Sequence, residues 1–291
     1  MDKINVGIDG LSATSKDTVT KLLFYVLNHL PAENPPAWSV IDSSSMYRAA
    51  SLFLERNGKD LGIRPMSLLN RADPMVNLEK EDLGKIITCV ENLELGLDFL
   101  VGVRCTYGKE QGKIEQYYTH NELQGVDVGT YAGMLGRIDP VRPCIVAKER
   151  EQAKAGYCLV PGRDSFTVVL KDIPGTQPVG IYTYTDFGAR VKRRLDDALS
   201  RGKNTTELDI IEALKQRDIL DLGRAEAPLP PNPVYARAAG YSVVDTTALS
   251  FDDMGIASVN IVLDAMKLHI PQRSVRSLVH EANAAYGHVG K

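Results

Sequence analysis

Between a short alternating apolar stretch and a helical one lies Gly10-Leu11-Ser12-Ala13-Thr14-Ser15-Lys16-Asp17-Thr18. Its spacing from Gly10 to Lys16 is that of G-x-x-x-x-G-K-[ST], a loop whose backbone N–H groups cradle phosphates while the lysine reaches the outer ones. Two positions depart from the pattern: Ser15 stands for the second glycine, and Asp17 for the hydroxyl residue that helps hold Mg²⁺. Ser15 costs ~1 to 2 kcal/mol if the backbone there is left-handed, which a short polar residue tolerates. A carboxylate ~4 Å from a phosphate oxygen is opposed by about 4 kcal/mol at an effective dielectric of 20, unless Mg²⁺ or Lys16 lies between them. Asp17 therefore has two readings, an acid complementing the helix dipole or a direct metal ligand.

The other residues of chemical interest are arginines and aspartates. Gly162-Arg163-Asp164 follows the apolar run Tyr157 to Val160, on the same expected sheet edge as Gly10. Arg190, Arg193 and Arg194 share part of a helix surface. Arg217, Asp221 and Arg224, at i, i+4 and i+7, share one helix face on which two guanidinium forks could flank a carboxylate. Taken singly, each group could equally be a surface ion pair.

The elements that must position these residues read as alternating strands and helices. Ile4, Val6 and Ile8 alternate as a strand, and Leu22, Leu23, Val26, Leu27 and Leu30 recur at helical spacing. Ser39 to Ile41, Tyr157 to Val160, Gly180 to Tyr184 and Tyr241 to Asp245 supply four more short strands. Such a series predicts an α/β fold with a five-stranded parallel sheet covered on both faces. Residues 63–135 change character: a helical stretch from Leu83 to Leu93, then strand-like Leu97 to Val103 and Ile114 to Tyr118, predict an inserted α+β domain. The tail after about residue 268 is polar and is expected to be peripheral. Gly10, Asp42, Gly162 and Asp245 close strands at their carboxyl ends, the edge where open α/β sheets bind ligands.

Bulk composition adds exclusions. With 34 Lys and Arg against 37 Asp and Glu, the net charge of −3 gives no argument for a nucleic-acid or membrane partner, so any anion site must be local. The four cysteines, Cys89, Cys105, Cys144 and Cys158, are too dispersed for a zinc ribbon or a disulfide framework. The five histidines are likewise scattered without metal-ligand spacing. No apolar run approaches the ~20 residues of a membrane span, and the first residues lack signal-peptide character, so a cytoplasmic protein is expected.

In order and spacing, the motifs resemble those of the cytidylate kinases, a branch of the P-loop nucleoside monophosphate kinases. Asp42-Ser43-Ser44-Ser45-Met46-Tyr47-Arg48 looks like the family's D-T-G-A-M-Y-R, and Gly162-Arg163-Asp164 like its G-R-D. Arg190-Val191-Lys192-Arg193-Arg194 is similar to R-A-x-R-R of its lid, and Arg217 to Leu229 to R-D-x-x-D-x-x-R-A-x-A-P-L. Asp245-Thr246-Thr247-Ala248-Leu249-Ser250 is similar to D-T-T-x-L-S. The resemblance spans residues 4 to about 266. It implies a three-layer P-loop kinase core (1–62 and 136–291, lid about 187–205) with an inserted monophosphate-binding domain (63–135).

It also implies phosphoryl transfer from ATP to CMP or dCMP with Mg²⁺, in a monomer that binds small nucleotides. Gly10, Ser12, Ala13, Thr14, Ser15, Lys16, Asp17 and Thr18 would then hold ATP, with Asp17 the candidate metal ligand. Arg48, Arg163 and Arg217 would hold the acceptor phosphate, Asp221 and Arg224 its ribose, with Ser43 and Tyr47 in the acceptor turn. Arg142 and Asp164 would read the cytosine edge, where Gly133 aligns with a family serine. Arg190, Arg193 and Arg194, with Lys16 and Arg163, would stabilise the transferring group. The departures at Ser15 and Asp17 keep a second reading open, a catalytically silent relative that binds a monophosphate or acts by interaction.

Overall fold

The computed structural model describes residues 2–31, 35–76, 78–99, 101–108, 113–223 and 228–286. In chain order the elements are β1 (Lys3–Asp9), α1 (Lys16–Asn28), β2 (Trp38–Val40), α2 (Ser43–Asn57), α3 (Lys80–Asn92), β3 (Glu94–Asp98), β4 (Gly102–Tyr107) and β5 (Ile114–Thr119). They continue as α4 (His120–Leu123), α5 (Val126–Leu135), α6 (Val141–Ala155), β6 (Tyr157–Pro161), β7 (Thr176–Tyr184), α7 (Phe187–Ser200) and α8 (Glu207–Leu222). The last four are α9 (Pro233–Ala238), β8 (Ser242–Asp245), α10 (Phe251–Met266) and α11 (Gln272–Tyr286). The chain forms two compact units, residues 1–39 with 153–291 and residues 40–152.

The larger unit is built on the five-stranded parallel sheet, in the order β2-β6-β1-β7-β8. β1 lies at its centre, paired in parallel with β6 through Asn5 to Ile8 and with β7 through Lys3 to Asp9. Consecutive strands are not neighbours here, so each return crosses over, as a parallel sheet requires. Ile4, Val6 and Ile8 are all buried, and so are Asn5 and Asp9 on the opposite pleat, because helices cover both faces. α10 packs against β1, β7 and β8, and α1 packs against α10. Tyr182, Tyr241, Leu11, Leu229 and Ala236 form a second buried cluster with Phe166 packed against it.

The tail differs from expectation. α11 packs on α1 and α10, burying Val275, Val279 and Ala282 at i, i+4 and i+7. That narrow apolar stripe is diluted in a helix that is otherwise polar, so composition hides what periodicity carries.

The smaller unit holds the antiparallel sheet β3-β4-β5, with α2 packed against α5 and β4. The strand expected over Leu97 to Val103 is two strands: β3 ends at Asp98 and β4 starts at Gly102. Leu95, Leu97, Phe99, Val101 and Val103 recur every second residue, and Leu100 fills the gap between Phe99 and Val101, so the apolar pattern shows no polar break at the hairpin. The turn is closed by Val101 N–H donating to the Asp98 carbonyl. Tyr118 is fully buried and its neighbour Tyr117 exposed, the core and edge pair expected of a strand. Among the described residues, no helix is long and apolar enough to cross a membrane.

Candidate active site

The site of the larger unit grows from the carboxyl end of β1. Asp9, fully buried, accepts from the backbone N–H groups of Ser165 and Phe166, each at 3.0 Å, and from the Tyr241 hydroxyl at 2.9 Å. Burial raises its pKa above the usual carboxylate range, and the three hydrogen bonds oppose that. The carboxylate thus ties the end of β1 to the segment that follows Gly162-Arg163-Asp164, which continues as a single wide helical turn, Ser165–Val169. Neither Asp9 nor Tyr241 was singled out by the sequence pattern; the available signal was an acid closing an otherwise apolar strand.

Gly10 opens the loop with φ 152°, and a Cβ there would lie 2.4 Å from the Thr183 carbonyl oxygen. Only glycine fits that approach to β7. Thr14, buried, binds the Thr183 hydroxyl at 2.8 Å and donates to the Leu11 carbonyl at 2.9 Å, closing the loop from inside. Ala13 and Ser15 both have positive φ, 61° and 66°. The loop therefore keeps a left-handed conformation at the position where the pattern has glycine.

α1 begins at Lys16 with no side-chain cap on its N-terminus. The first N–H groups of a helix have no intrahelical acceptor, so an uncapped start directs donors and the positive end of the dipole at whatever lies in the loop. Lys16 folds over this loop, donating to the Gly10 and Leu11 carbonyls at 2.7 Å each. Burial, then the Arg163 guanidinium, push its ammonium well below the usual lysine range, while Asp17, Asp9 and Asp221 pull the other way. Asp17 is exposed in the first turn and Thr18 half-buried beside it.

The arginines separate into distinct environments. Arg163 donates from Nε to Asp221 at 2.7 Å, with the Asp221 side chain 3% exposed. Arg217 approaches the same carboxylate oxygen at 3.9 Å. Two guanidinium groups do flank a carboxylate, but the closer one comes from the loop after β6 and not from the helix repeat. Arg224 lies outside the described residues. On α7, Arg190 is buried and forms a two-point pair with Asp218 at 2.8 and 2.6 Å. Its Nε also donates to the Ser12 carbonyl at 2.7 Å. Arg193 reaches Ser15, Thr185 and Thr246. Arg194 is exposed, 4.0 Å from Asp197.

Within the larger unit, then, the loop, Lys16, Arg163, Arg190, Arg193 and Asp221 are gathered at one edge of the sheet. Asp164 is half-buried at the start of the Ser165 turn. Sequence reasoning passed over Asp218, which answers Arg190, and over Thr185, whose hydroxyl lies 2.6 Å from that of Thr246.

The remaining candidates belong to the smaller unit. Asp42 caps α2, accepting from Ser44 N–H at 3.0 Å and from the Ser45 hydroxyl at 2.5 Å. Ser43 and Tyr47 lie on the first turns of this helix, half-buried. Arg48 donates to the Leu123 carbonyl at 2.8 Å and to Gln124 at 3.0 Å. Gly133 is exposed on α5, and Arg142 half-buried on α6. Among the described residues no group of three His, Cys, Asp or Glu is arranged to hold a metal ion.

A family model described as cytidylate kinase matches residues 6–267. A protein of Burkholderia cenocepacia (strain HI2424) named cytidylate kinase is 26% identical over 248 residues, 85% of this chain and 88% of its own. The cytidylate kinase of Pseudothermotoga lettingae is 25% identical over 268 residues, 92% of this chain and 98% of its own. That of Pelotomaculum thermopropionicum is 27% identical over 245 residues, 84% and 89% of the two chains. A loop of phosphate-binding spacing, Arg163, Arg190 and Arg193 gathered at one edge of the sheet and a match over most of the length agree: this chain belongs to the cytidylate kinase family.

Proposed function

We propose that this chain transfers the γ-phosphoryl group of ATP to CMP or dCMP. The observation that carries the reading is the uncapped start of α1, where Lys16 is joined by Arg163 from the loop after β6 and by Arg190 and Arg193 from α7. Phosphoryl transfer asks little covalent chemistry of a protein; positioning and charge stabilisation supply the rate. The Gly10 to Thr18 loop would bind the triphosphate through backbone N–H groups, and Lys16 would exchange its carbonyl partners for outer phosphate oxygens. Asp221 orients Arg163 toward the acceptor phosphate. Ser43, Tyr47, Arg48, Gly133, Arg142, Asp164, Arg217 and Arg224 are assigned to the acceptor nucleotide on family resemblance, with residues 63–135 as its domain and 187–205 as the lid.

Mg²⁺, when bound, would supply charge neutralisation for the phosphates. The chain offers it one exposed carboxylate beside Lys16, that of Asp17, which suits an ion that keeps most of its ligands as water and phosphate. Asp17 would thereby hold the metal in place of the pattern's hydroxyl. The direct test is ADP release that depends on CMP at millimolar Mg²⁺ and ATP. Absence of turnover with every pyrimidine monophosphate, with CMP still raising the melting temperature, would establish the silent relative instead.

The depressed pKa of Lys16 gives a pH prediction. Burial and Arg163 disfavour the charged form, so the free enzyme loses this cation as pH rises through a value below 10.5. The alkaline limb of kcat/KM for ATP, which reports the free enzyme, is expected well below 10.5, and Lys16→Arg is expected to remove it. A limb at or above the ordinary lysine value would contradict the assignment.

A further inference from the structure

Ser15 occupies a left-handed position that glycine would fill without strain, so its side chain is retained against a backbone cost of ~1 to 2 kcal/mol. A serine before a helix ordinarily spends its oxygen on a first-turn N–H. Ser15 makes no such bond. Its Oγ accepts instead from Nη1 of Arg193 at 3.1 Å. The same Nη1 lies 3.2 Å from the Thr185 hydroxyl and 3.1 Å from that of Thr246, and Nη2 donates to the Thr246 carbonyl. Thr185 and Thr246 are both buried. Oxygens from the phosphate loop, the end of β7 and the end of β8 thus hold one guanidinium.

What these oxygens have in common is that none carries a charge. Arg163 is neutralised by Asp221, Arg190 by Asp218, and Arg194 lies beside Asp197. Arg193 forms no ion pair among the described residues and is half-buried. The Asp245 carboxylate acts on Arg193 from beyond ion-pair distance, while burial disfavours its charge. A cation whose hydrogen bonds go to neutral oxygens keeps its donors' charge for an incoming anion, and its conformational entropy is already spent. Donors fixed in place before the reaction cost no reorganisation during it.

We propose that Ser15 is a positioning residue whose hydroxyl docks Arg193 on the phosphate loop, aiming a guanidinium that has no ion-pair partner among the described residues at the transferring phosphoryl group. The inference rests on the phosphoryl-transfer reading above. It makes the exchange of glycine for serine a gain of a second-point anchor for the lid arginine, not a lesion in the loop.

Two variants separate positioning from stability. Ser15→Ala removes the hydroxyl and keeps the left-handed strain; Ser15→Gly removes both. Each is expected to lower kcat about tenfold to a hundredfold with the KM for CMP unchanged, an effect the size of one hydrogen bond to a charged group. Ser15→Gly is expected to melt no lower than wild type while showing the same loss, a combination that a purely structural serine would not produce. In an Arg193→Met background, Ser15→Ala is expected to have no further effect on kcat. Wild-type kcat in both variants, or an undiminished loss in the Arg193→Met background, would overturn the proposal.

A readout independent of turnover is the Arg193 side-chain N–H signal in ¹⁵N-edited NMR. It is expected to be narrow and protected in wild type, exchange-broadened in Ser15→Ala, and shifted by added inorganic tripolyphosphate. An Arg193 signal identical in wild type and Ser15→Ala would overturn the docking whether or not the chain turns over. A lost signal in a chain without CMP-dependent ADP release would sustain the docking and reject the kinase reading.

Discussion

Lys16→Met is expected to lower kcat/KM for ATP about 10²- to 10³-fold while leaving the chain folded. The ammonium lies over the loop on two carbonyl oxygens, Gly10 and Leu11, at 2.7 Å each. It belongs to the first residue of α1, whose start is uncapped, and burial already disfavours its charge. A nucleotide polyphosphate resolves that frustration, because it returns to the ammonium the anionic partner that the carbonyls only approximate. One preorganised donor acting on developing charge is worth ~3 to 4 kcal/mol, and each ~1.4 kcal/mol is tenfold in rate. Stability moves far less: removing the ammonium leaves two carbonyls short of a donor but also removes a buried charge. Steady-state kinetics with a parallel thermal melt check both halves. A loss below tenfold would mean that Lys16 is a structural clip on the loop.

Arg190→Ala, by contrast, is expected to act first on stability, lowering the free energy of unfolding by about 3 kcal/mol. The Arg190 side chain is 3% exposed and that of Asp218 15%, and two short contacts join them. Removing one member of a buried pair leaves its partner's charge without compensation, which costs ~3 to 5 kcal/mol. The lower end applies because Asp218 keeps some access to water. The guanidinium also stacks over the Phe187 ring, with 5.6 Å from Cζ to the centroid, so packing is lost along with charge. Since Nε also holds the Ser12 carbonyl, Arg190 is a strut between α7, α8 and the phosphate loop. Urea unfolding of Arg190→Ala, Asp218→Ala and the double variant is the check, with the double variant expected to lose little more than either single one. Additive losses would show that the pair is not coupled.

Much of this was written in local sequence. Ile4, Val6 and Ile8 announced the central strand by alternation, and the spacing from Gly10 to Lys16 announced the loop. Arg217 and Asp221, one helical turn apart, announced a shared face. What stayed hidden depends on contacts between residues far apart in the chain. The Arg163 to Asp221 pair spans 58 residues and the Tyr241 to Asp9 bond 232. The dock of Arg193 needs β7 and β8 to be neighbours, which no local pattern states. Hydroxyls are the least legible of all, because a threonine at a strand end reads as strand composition until its partner is known. The hairpin after β3 is hidden for the opposite reason: the apolar run Phe99-Leu100-Val101 carries no polar turn signal, so the strand pattern reads straight on.

Whether a loop carrying Ser15 and Asp17 still accepts a triphosphate is decided by calorimetric titration of ATP, with and without Mg²⁺, into wild type and Asp17→Ser. If Asp17 completes the metal's ligands, wild type binds ATP only with Mg²⁺, and Asp17→Ser weakens that binding or relaxes its dependence on the metal. No heat with wild type, and binding restored only by Asp17→Ser, would mean that the carboxylate repels the phosphates and that this chain is not a kinase.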